Sequence, residues 1–288
     1  MDDRLRDALS AALGASVRRA DPVRGGDVAT AYRVELDGGE VVFAKTHDAA
    51  PPGFFTTEAS GLEWLRAADA VPVPQVLAVS DDPAFLVLPW IDESRRSTAD
   101  GEATFGRLLA SMHRSGAPTF GRVDRRPTGS RSLPNDPCDT WAEFYAERRL
   151  LPLASMAEAS GALAGGTIEG MRRVAARLVE VAGRSAAEPP ARLHGDLWGG
   201  NRLVDVEGRS WLIDPACHGG HREFDLAMMR LFGGFGAAAF EAYDDAHPLA
   251  EGWDERVALH QIAPLAVHAI KFGGGYAAAT DGAVRRYL

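Results

Sequence analysis

In this 288-residue chain the stretch with the most chemical content is His194-Gly-Asp-Leu-Trp-Gly-Gly-Asn201, followed by Ile213-Asp214-Pro215. Asp196 and Asn201 lie five positions apart on an expected loop, and Asp214 ends an expected strand thirteen positions beyond Asn201. Phosphoryl transfer requires a carboxylate to orient the incoming hydroxyl and hard oxygen ligands to hold Mg²⁺ against the β- and γ-phosphates. Asp196 suits the first task; Asn201 and Asp214 suit the second. The kinase template has the same interval from Asp to metal-binding Asn, with a later Asp at a strand end. A lone carboxylate in a glycine-rich turn is ordinarily a turn or cap residue. Three oxygen donors at these intervals, spread over a strand-turn-strand unit, outweigh that reading.

Such chemistry makes demands on the first third of the chain. A strand lysine must hold the α- and β-phosphates of ATP, and a helix carboxylate must position that lysine. Lys45 sits late in the strand Val41-Val42-Phe43-Ala44, and Glu58 lies near the start of the next helix. Of 31 basic residues only Lys45 and Lys271 are lysines. An ammonium and a guanidinium are not interchangeable, so a lysine at the phosphate-holding position of an arginine-rich chain carries weight. Gly25-Gly26-Asp27, just before the first hairpin strand, offers a backbone nest for phosphate, although adjacent glycines also make ordinary turns. In Leu88-Pro89-Trp90-Ile91 the Pro89 carbonyl could accept from the adenine amino group while the Ile91 N–H donates to the ring. A proline that simply ends an edge strand is the alternative there.

Trp198 stands between the expected base and Asn201, where an aromatic ring could stack on a sugar or an amine; packing in a core is the commoner use. His218 and His221 near Asp214 raise a different possibility, a metal-dependent hydrolase using His194, Asp196, Asp214 and His218. No paired-histidine motif on one helix supports it. Glu223 and Asp225 open a helix through Leu226, Met229 and Leu231, where carboxylates complement the dipole. Asp225 therefore reads as structural. His268, with Phe272 and Tyr276 at helical spacing, reads as half core and half cleft wall.

Positioning these groups takes two differently built parts. Leu5, Leu9 and Leu13 recur at four-residue intervals and predict a short helix over 2–13. Residues 29–36 and 40–46 predict a β-hairpin closed by Asp37-Gly38-Gly39. A helix follows Pro51-Pro52, with Thr56 or Thr57 as N-cap and Leu62 and Leu65 on one face. Residues 71–79 predict an edge strand broken by Pro72 and Pro74, and 84–88 an apolar strand. Beyond residue 92 the pattern turns helical, over 98–115, 141–150, 166–183 and several segments after His221. Two short strands, 202–206 and 210–213, interrupt it around a Glu207-Gly208 turn. The expectation is an α+β, two-lobe arrangement: a small β-rich lobe over 1–91 that binds nucleotide, and a larger, mainly helical lobe over 92–288 that carries catalysis and substrate. Ligands favour the cleft such lobes make.

Composition narrows the classes further. A hydrophobic share of 46% and a charged share of 25% are ordinary globular values. The formal charge of -9 argues against a nucleic-acid partner. Cys138 and Cys217 fit no metal or redox spacing. With no export signal and no apolar run near ~20 residues, a cytoplasmic protein without a membrane contact is expected.

The motif strings resemble a known family. His194-Gly-Asp-Leu-Trp-Gly-Gly-Asn201, Ile213-Asp214-Pro215-Ala216, Gly220-His221-Arg-Glu-Phe-Asp-Leu226 and Phe232-Gly-Gly-Phe235 are similar to those of the fructosamine kinase, or ketosamine-3-kinase, family. The broader H-G-D-x-x-x-x-N pattern is shared with aminoglycoside phosphotransferases and choline kinases, which leaves such acceptors as the alternative. The likeness runs from Gly25-Gly26-Asp27 through Lys45 and Trp141 to Phe272-Gly-Gly-Gly-Tyr276. It implies a protein-kinase-like fold and ATP- and Mg²⁺-dependent phosphorylation of the 3-hydroxyl of a ketosamine, a fructosamine or ribulosamine, including glycated protein lysine. By resemblance Asp196 is the base, Asn201 and Asp214 the Mg²⁺ ligands, Lys45 the phosphate anchor and Glu58 its partner, while Trp198 and His268 face the ketosamine. A monomer or a homodimer is compatible with all of this. Asp27-Val28 stands where some eukaryotic members carry a cysteine, so no disulfide switch is expected in that loop.

Overall fold

Alternation in the strand that bears Lys45 decides which way its side chains point. The computed structural model describes residues 1–23, 29–94, 97–129 and 131–288; Gly25 and Gly26 lie outside the described residues. Packing divides the chain into two units, Met1–Arg96 with Leu203–Pro215, and Ser97–Arg202 with Ala216–Leu288.

The first unit opens with α1 (Asp3–Leu13), whose N-cap Asp2 accepts the Leu5 N–H at 2.8 Å; a short acceptor here satisfies one of the orphan donors of a first turn. Next come β1 (Val17–Val23), β2 (Thr30–Leu36), β3 (Val41–Thr46), α2 (Phe54–Arg66), β4 (Ala78–Asp81) and β5 (Ala84–Pro89). The strands form one antiparallel sheet in the order β1-β2-β3-β5-β4. Along β3 the buried residues are Val42, Ala44 and Thr46. Val42 and Ala44 join Leu5, Leu9, Val34 and Val87 in an apolar core, so the period of two turns Val41, Phe43 and Lys45 to the other face. Lys45 pairs in register with Leu86 of β5.

Three features differ from the sequence expectation. β1 is not legible, because Val17-Arg-Arg-Ala-Asp-Pro-Val23 lacks alternation; it is an edge strand with solvated charges, which edges favour. Helix α2 starts at Phe54 behind a left-handed Gly53 (φ 79) rather than at a threonine cap. The segment before Leu77 stays out of the sheet and the strand begins only at Ala78, since Pro72 and Pro74 have no N–H to give to a ladder.

The segment Leu203–Pro215 is a hairpin whose strands, Arg202–Val204 and Ser210–Leu212, pair with each other. Buried Asp205 ties its turn together. Its carboxylate accepts from the backbone of Glu207 (3.0 Å) and Arg209 (2.8 Å), from Arg209 Nε (2.8 Å) and from Trp211 Nε1 (2.8 Å).

The second unit is mainly helical: α3 (Ala99–Arg114), α4 (Trp141–Tyr145), α5 (Leu151–Ser160), α6 (Gly165–Ala176), α7 (Leu178–Ala182), α8 (Glu223–Phe232), α9 (Ala237–Ala246), α10 (Trp253–Phe272) and α11 (Gly275–Arg285). Helix α3 runs as its pattern predicts, with Thr98 as N-cap accepting from Gly101 N–H. The segment predicted as a helix over 141–150 continues without a break into α5 through a π-helical turn, Ala146–Leu150. Pro152 has no N–H to return to Arg148, and the wider turn accommodates that loss. The short strands Ala191–Leu193 and His218–Gly220 pair antiparallel on either side of the chemistry-bearing loop in sequence. A core built on Trp141, Phe144, Tyr145, Leu150, Leu193 and Leu259 holds the helices together. Among the described residues no helix is long and apolar enough to cross a membrane.

Asp205→Ala leaves several donors of the returning hairpin without an acceptor, and hydrogen bonds to a charged group are worth about 1.5–3 kcal/mol each. The substitution is expected to lower unfolding free energy by about 2–4 kcal/mol in urea titration; an unchanged midpoint would remove Asp205 from this role.

Candidate active site

In the first unit, Lys45 Nζ donates to Glu58 Oε1 at 2.9 Å and forms a short ion pair with Asp214 Oδ1. The ammonium is mostly buried, at 13% side-chain exposure, so both partners act on it with little solvent between. Glu58 comes from α2 and Asp214 from the end of the returning hairpin. Asp214 holds φ at 53°, a left-handed conformation uncommon for a residue with a Cβ and more so before a proline. Such backbone strain is kept where the surroundings over-determine it, commonly at functional sites. Glu58 is the partner expected for Lys45, whereas Asp214, expected as a metal ligand, pairs with the same ammonium.

In the second unit, the loop from His194 to Asn201 is fixed from beneath by Asp225. Its carboxylate accepts the backbone N–H of His194 at 2.7 Å and of Gly195 at 2.9 Å. It also contacts His113 Nε2 at 3.2 Å, and His113 Nδ1 lies 2.8 Å from the Tyr243 hydroxyl. Burial would push the Asp225 carboxyl up, but hydrogen bonds and charge from His113, with the loop amides, outweigh it and hold the group below its ordinary value. Asp225 is structural, as its place at a helix start suggested. His113 and Tyr243 were not legible, because the partners that give them their role lie more than a hundred positions away in sequence. Arg202, directly after Asn201, was missed too. Its guanidinium pairs with Glu102 at 2.9 Å and stacks between Phe105 and Phe235 at 4.7 and 5.3 Å, which pins the end of the loop.

On this loop the Asn201 amide nitrogen donates to the Asp196 carbonyl at 2.8 Å and to Asp196 Oδ2 at 3.0 Å. The amide oxygen of Asn201 therefore points to the other side of the group. Desolvation raises the Asp196 carboxyl above its ordinary value, opposed by the charges of His194 and His268 and by the Asn201 hydrogen bond. Trp198 lies flat over its own loop: a Cβ on Gly200 would sit 2.3 Å from the indole. Gly199 packs against Gly234 so tightly that a Cβ on either would come within 2.8 Å of the other's Cα, and Gly199 N–H donates to the Gly233 carbonyl at 3.0 Å. The two glycine pairs noted in the sequence are one contact, and it sets the indole. His268 reaches the same neighbourhood through Phe232: the Trp198 and Phe232 centroids are 6.4 Å apart, and those of Phe232 and His268 4.6 Å.

Pro89 and Ile91 do not adjoin Lys45 along β5. They line, with Trp90, Arg66 and Trp211, a cavity of about 410 Å³ whose walls include none of Lys45, Glu58 and Asp214. Of the two histidines offered for a hydrolase, His194 braces the loop, its Nδ1 accepting the Asp196 N–H at 3.2 Å, and His218 is a packing residue. His218 is buried between Phe144 and Phe224, and burial lowers its pKa to about 3. His221, Glu223 and His260 come close enough to hold an ion, yet Arg256 already grips Glu223 with two hydrogen bonds and Ser185 takes His221 Nε2.

The chain has relatives among known proteins. The family model described as "Fructosamine kinase" matches residues 1–288. The chain belongs to the fructosamine kinase family. It is 33% identical over 264 residues to a "Probable ketoamine kinase" of Enterococcus faecium, covering 90% of this chain and 92% of that one. A crystal structure of a "putative fructosamine-3-kinase" from Thermobifida fusca matches 100% of this chain and 99% of its own at 39% identity and a TM-score of 0.89. A choline kinase of Streptococcus pneumoniae, at 15% identity and a TM-score of 0.65, shares the fold. This kinase is therefore a phosphotransferase of protein-kinase-like α+β fold, with a sheet-built N-terminal part and a helical C-terminal part. Membership of a kinase family implies a nucleotide substrate.

A raised carboxyl favours the protonated form in the folded state. Its contribution to stability is present below the unfolded pKa and is lost as pH rises through the folded one. Removing the charge of Asp196 is therefore expected to cost nothing at neutral pH. Asp196→Asn should melt no lower than the parent at pH 7, with any advantage gone at pH 3. A fall of several degrees at pH 7 would contradict the desolvated carboxylate.

Proposed function

We propose that this fructosamine kinase transfers the γ-phosphoryl group of ATP to the 3-hydroxyl of a ketosamine, a sugar joined to an amine as a fructosamine or ribulosamine. The observation that carries the reading is the Asp196 carboxylate, desolvated, steered by Asn201 and set two residues before an indole. A partly desolvated carboxylate is a stronger base than one in water, which suits a group that must take a hydroxyl proton near neutral pH.

In this reading Asp196 accepts the proton of the 3-hydroxyl as the sugar oxygen bonds to the γ-phosphorus and the bond to ADP breaks. Lys45 takes the α- and β-phosphates, and Glu58 keeps its ammonium in place. The Pro89 carbonyl and Ile91 N–H recognise adenine. Trp198 and His268 face the ketosamine. An amide oxygen and a carboxylate are the hard donors Mg²⁺ takes, so Asn201 and Asp214 would hold it. Bound there, it neutralises charge on the transferring phosphate. A small-molecule ketosamine or a glycated lysine side chain meets these requirements equally.

The test is ADP release with ATP, Mg²⁺ and a panel of fructosamine, ribulosamine, choline and aminoglycoside acceptors. Turnover of the ketosamines is expected, with a loss of about 10²–10⁴ in kcat for Asp196→Asn. Because the carboxyl is raised, kcat/KM should fall on the acid side at a pH above the ~3.9 of an ordinary aspartate. Full activity of Asp196→Asn, or turnover of choline alone, would overturn the reading.

A further inference from the structure

The chain of rings that starts at Trp198 does not stop at His268. His268 also lies 5.5 Å from Phe272 and 5.0 Å from Tyr276, centroid to centroid, and those two rings are 6.3 Å apart. Helix α10 ends on Phe272 and α11 starts at Gly275, so the two helices turn back on each other within Gly273 and Gly274. These hold φ/ψ of 66/−142° and 60/−137°, a region essentially closed to residues with a Cβ. The turn is what brings the last residue of one helix and an early residue of the next around the same imidazole.

Exposure of these rings is not explained by packing. Trp198 is 41% exposed and Phe272 53%, and they are the two aromatic residues among the exposed large hydrophobic side chains of the described residues. Both belong to this one chain of rings. A polar chain of this composition leaves single apolar residues on its surface without consequence; two of the largest, joined through three further rings and a turn that only glycine allows, form a built surface. The surface is continuous with the base, because Trp198 is two residues from Asp196 and the charge of His268 reaches the Asp196 carboxyl.

A ketosamine has two ends. The sugar must meet Asp196, and the amine carries a substituent that leaves in the direction away from the reacting hydroxyl. Lys271 Nζ stands 4.6 Å from the Phe272 ring centroid, so a second cation on that substituent would face a like charge, whereas an aromatic or long apolar group meets ring faces. We infer that Phe272 and Tyr276, continuing from Trp198 and His268, form the binding surface for the amine substituent and select aromatic or extended apolar amines. This rests on the ketosamine reading above and specifies the amine side of it.

Two ketosamines of one sugar decide the matter, one made from methylamine and one from phenethylamine, which share the secondary amine and differ in the ring. The parent enzyme is expected to show kcat/KM about tenfold higher for the phenethyl adduct, carried by KM, as befits one good aromatic contact. Phe272→Ala should bring that ratio to about one through KM, and Phe272→Trp should restore it, a rescue that a purely structural side chain would not give. A parent ratio near one, or a ratio unchanged in Phe272→Ala, overturns the inference while leaving ketosamine phosphorylation standing. No turnover of either adduct contradicts the acceptor assignment, and this inference with it.

Discussion

The Asp225 carboxylate under the loop amides of His194 and Gly195 is the contact on which the catalytic stretch depends. A loop that must present a carboxylate, an indole and an amide within eight residues is held only in part by its own side chains, the Asn201 amide on the Asp196 carbonyl and His194 Nδ1 on the Asp196 N–H. Its backbone is gripped from elsewhere as well. Asp225 does this from the first turn of α8, inside the protein, where each hydrogen bond is stronger than in water and each unmade one costlier. His113 completes the support by contacting the same carboxylate, and Tyr243 holds the other ring nitrogen of His113. Removing one partner from such an arrangement leaves an uncompensated buried group. The loop is therefore anchored at both ends, at His194 and at Arg202, and between them Gly199 is clamped against Gly234.

The loop's base carries a cost that the fold accepts. Desolvation makes the Asp196 carboxyl reluctant to ionise, which weakens the folded state at neutral pH and strengthens the base. Asn201 limits the cost with one hydrogen bond. Lys45 shows the opposite arrangement: its buried ammonium has two carboxylates, and the left-handed Asp214 bears the strain of reaching it. The indole of Trp198 needs neither charge nor strain, only the absence of a Cβ beneath it at Gly200.

What the sequence made legible follows from how local each signal is. Asp196 and Asn201 lie five positions apart in the chain, and Lys45 stands out because lysine is nearly absent, so the members of the Asn201–Asp196 contact and of the Lys45–Glu58–Asp214 cluster could be named directly. Helix α3 was legible as a helical segment over 98–115. β1 was hidden because an edge strand has no second neighbour to impose alternation, and residues 71–77 misled because apolar character survives where prolines forbid the ladder. His113, Tyr243 and Arg202 could not be found, since their partners are distant in sequence and only the fold supplies them. The return of residues 203–215 to the first unit is likewise invisible in the linear order. The Phe232-Gly-Gly-Phe235 and Trp198-Gly-Gly strings were legible as motifs but not as one contact, because a missing side chain announces close approach without saying to what.

The central claim is that this fold delivers phosphate to one particular oxygen of a ketosamine. Phosphorus–proton correlation NMR of the product formed from ATP and a fructosamine measures that directly. A single phosphomonoester coupled to the proton on the third sugar carbon is expected; phosphate on any other carbon, or on the amine substituent, would contradict transfer to the 3-hydroxyl.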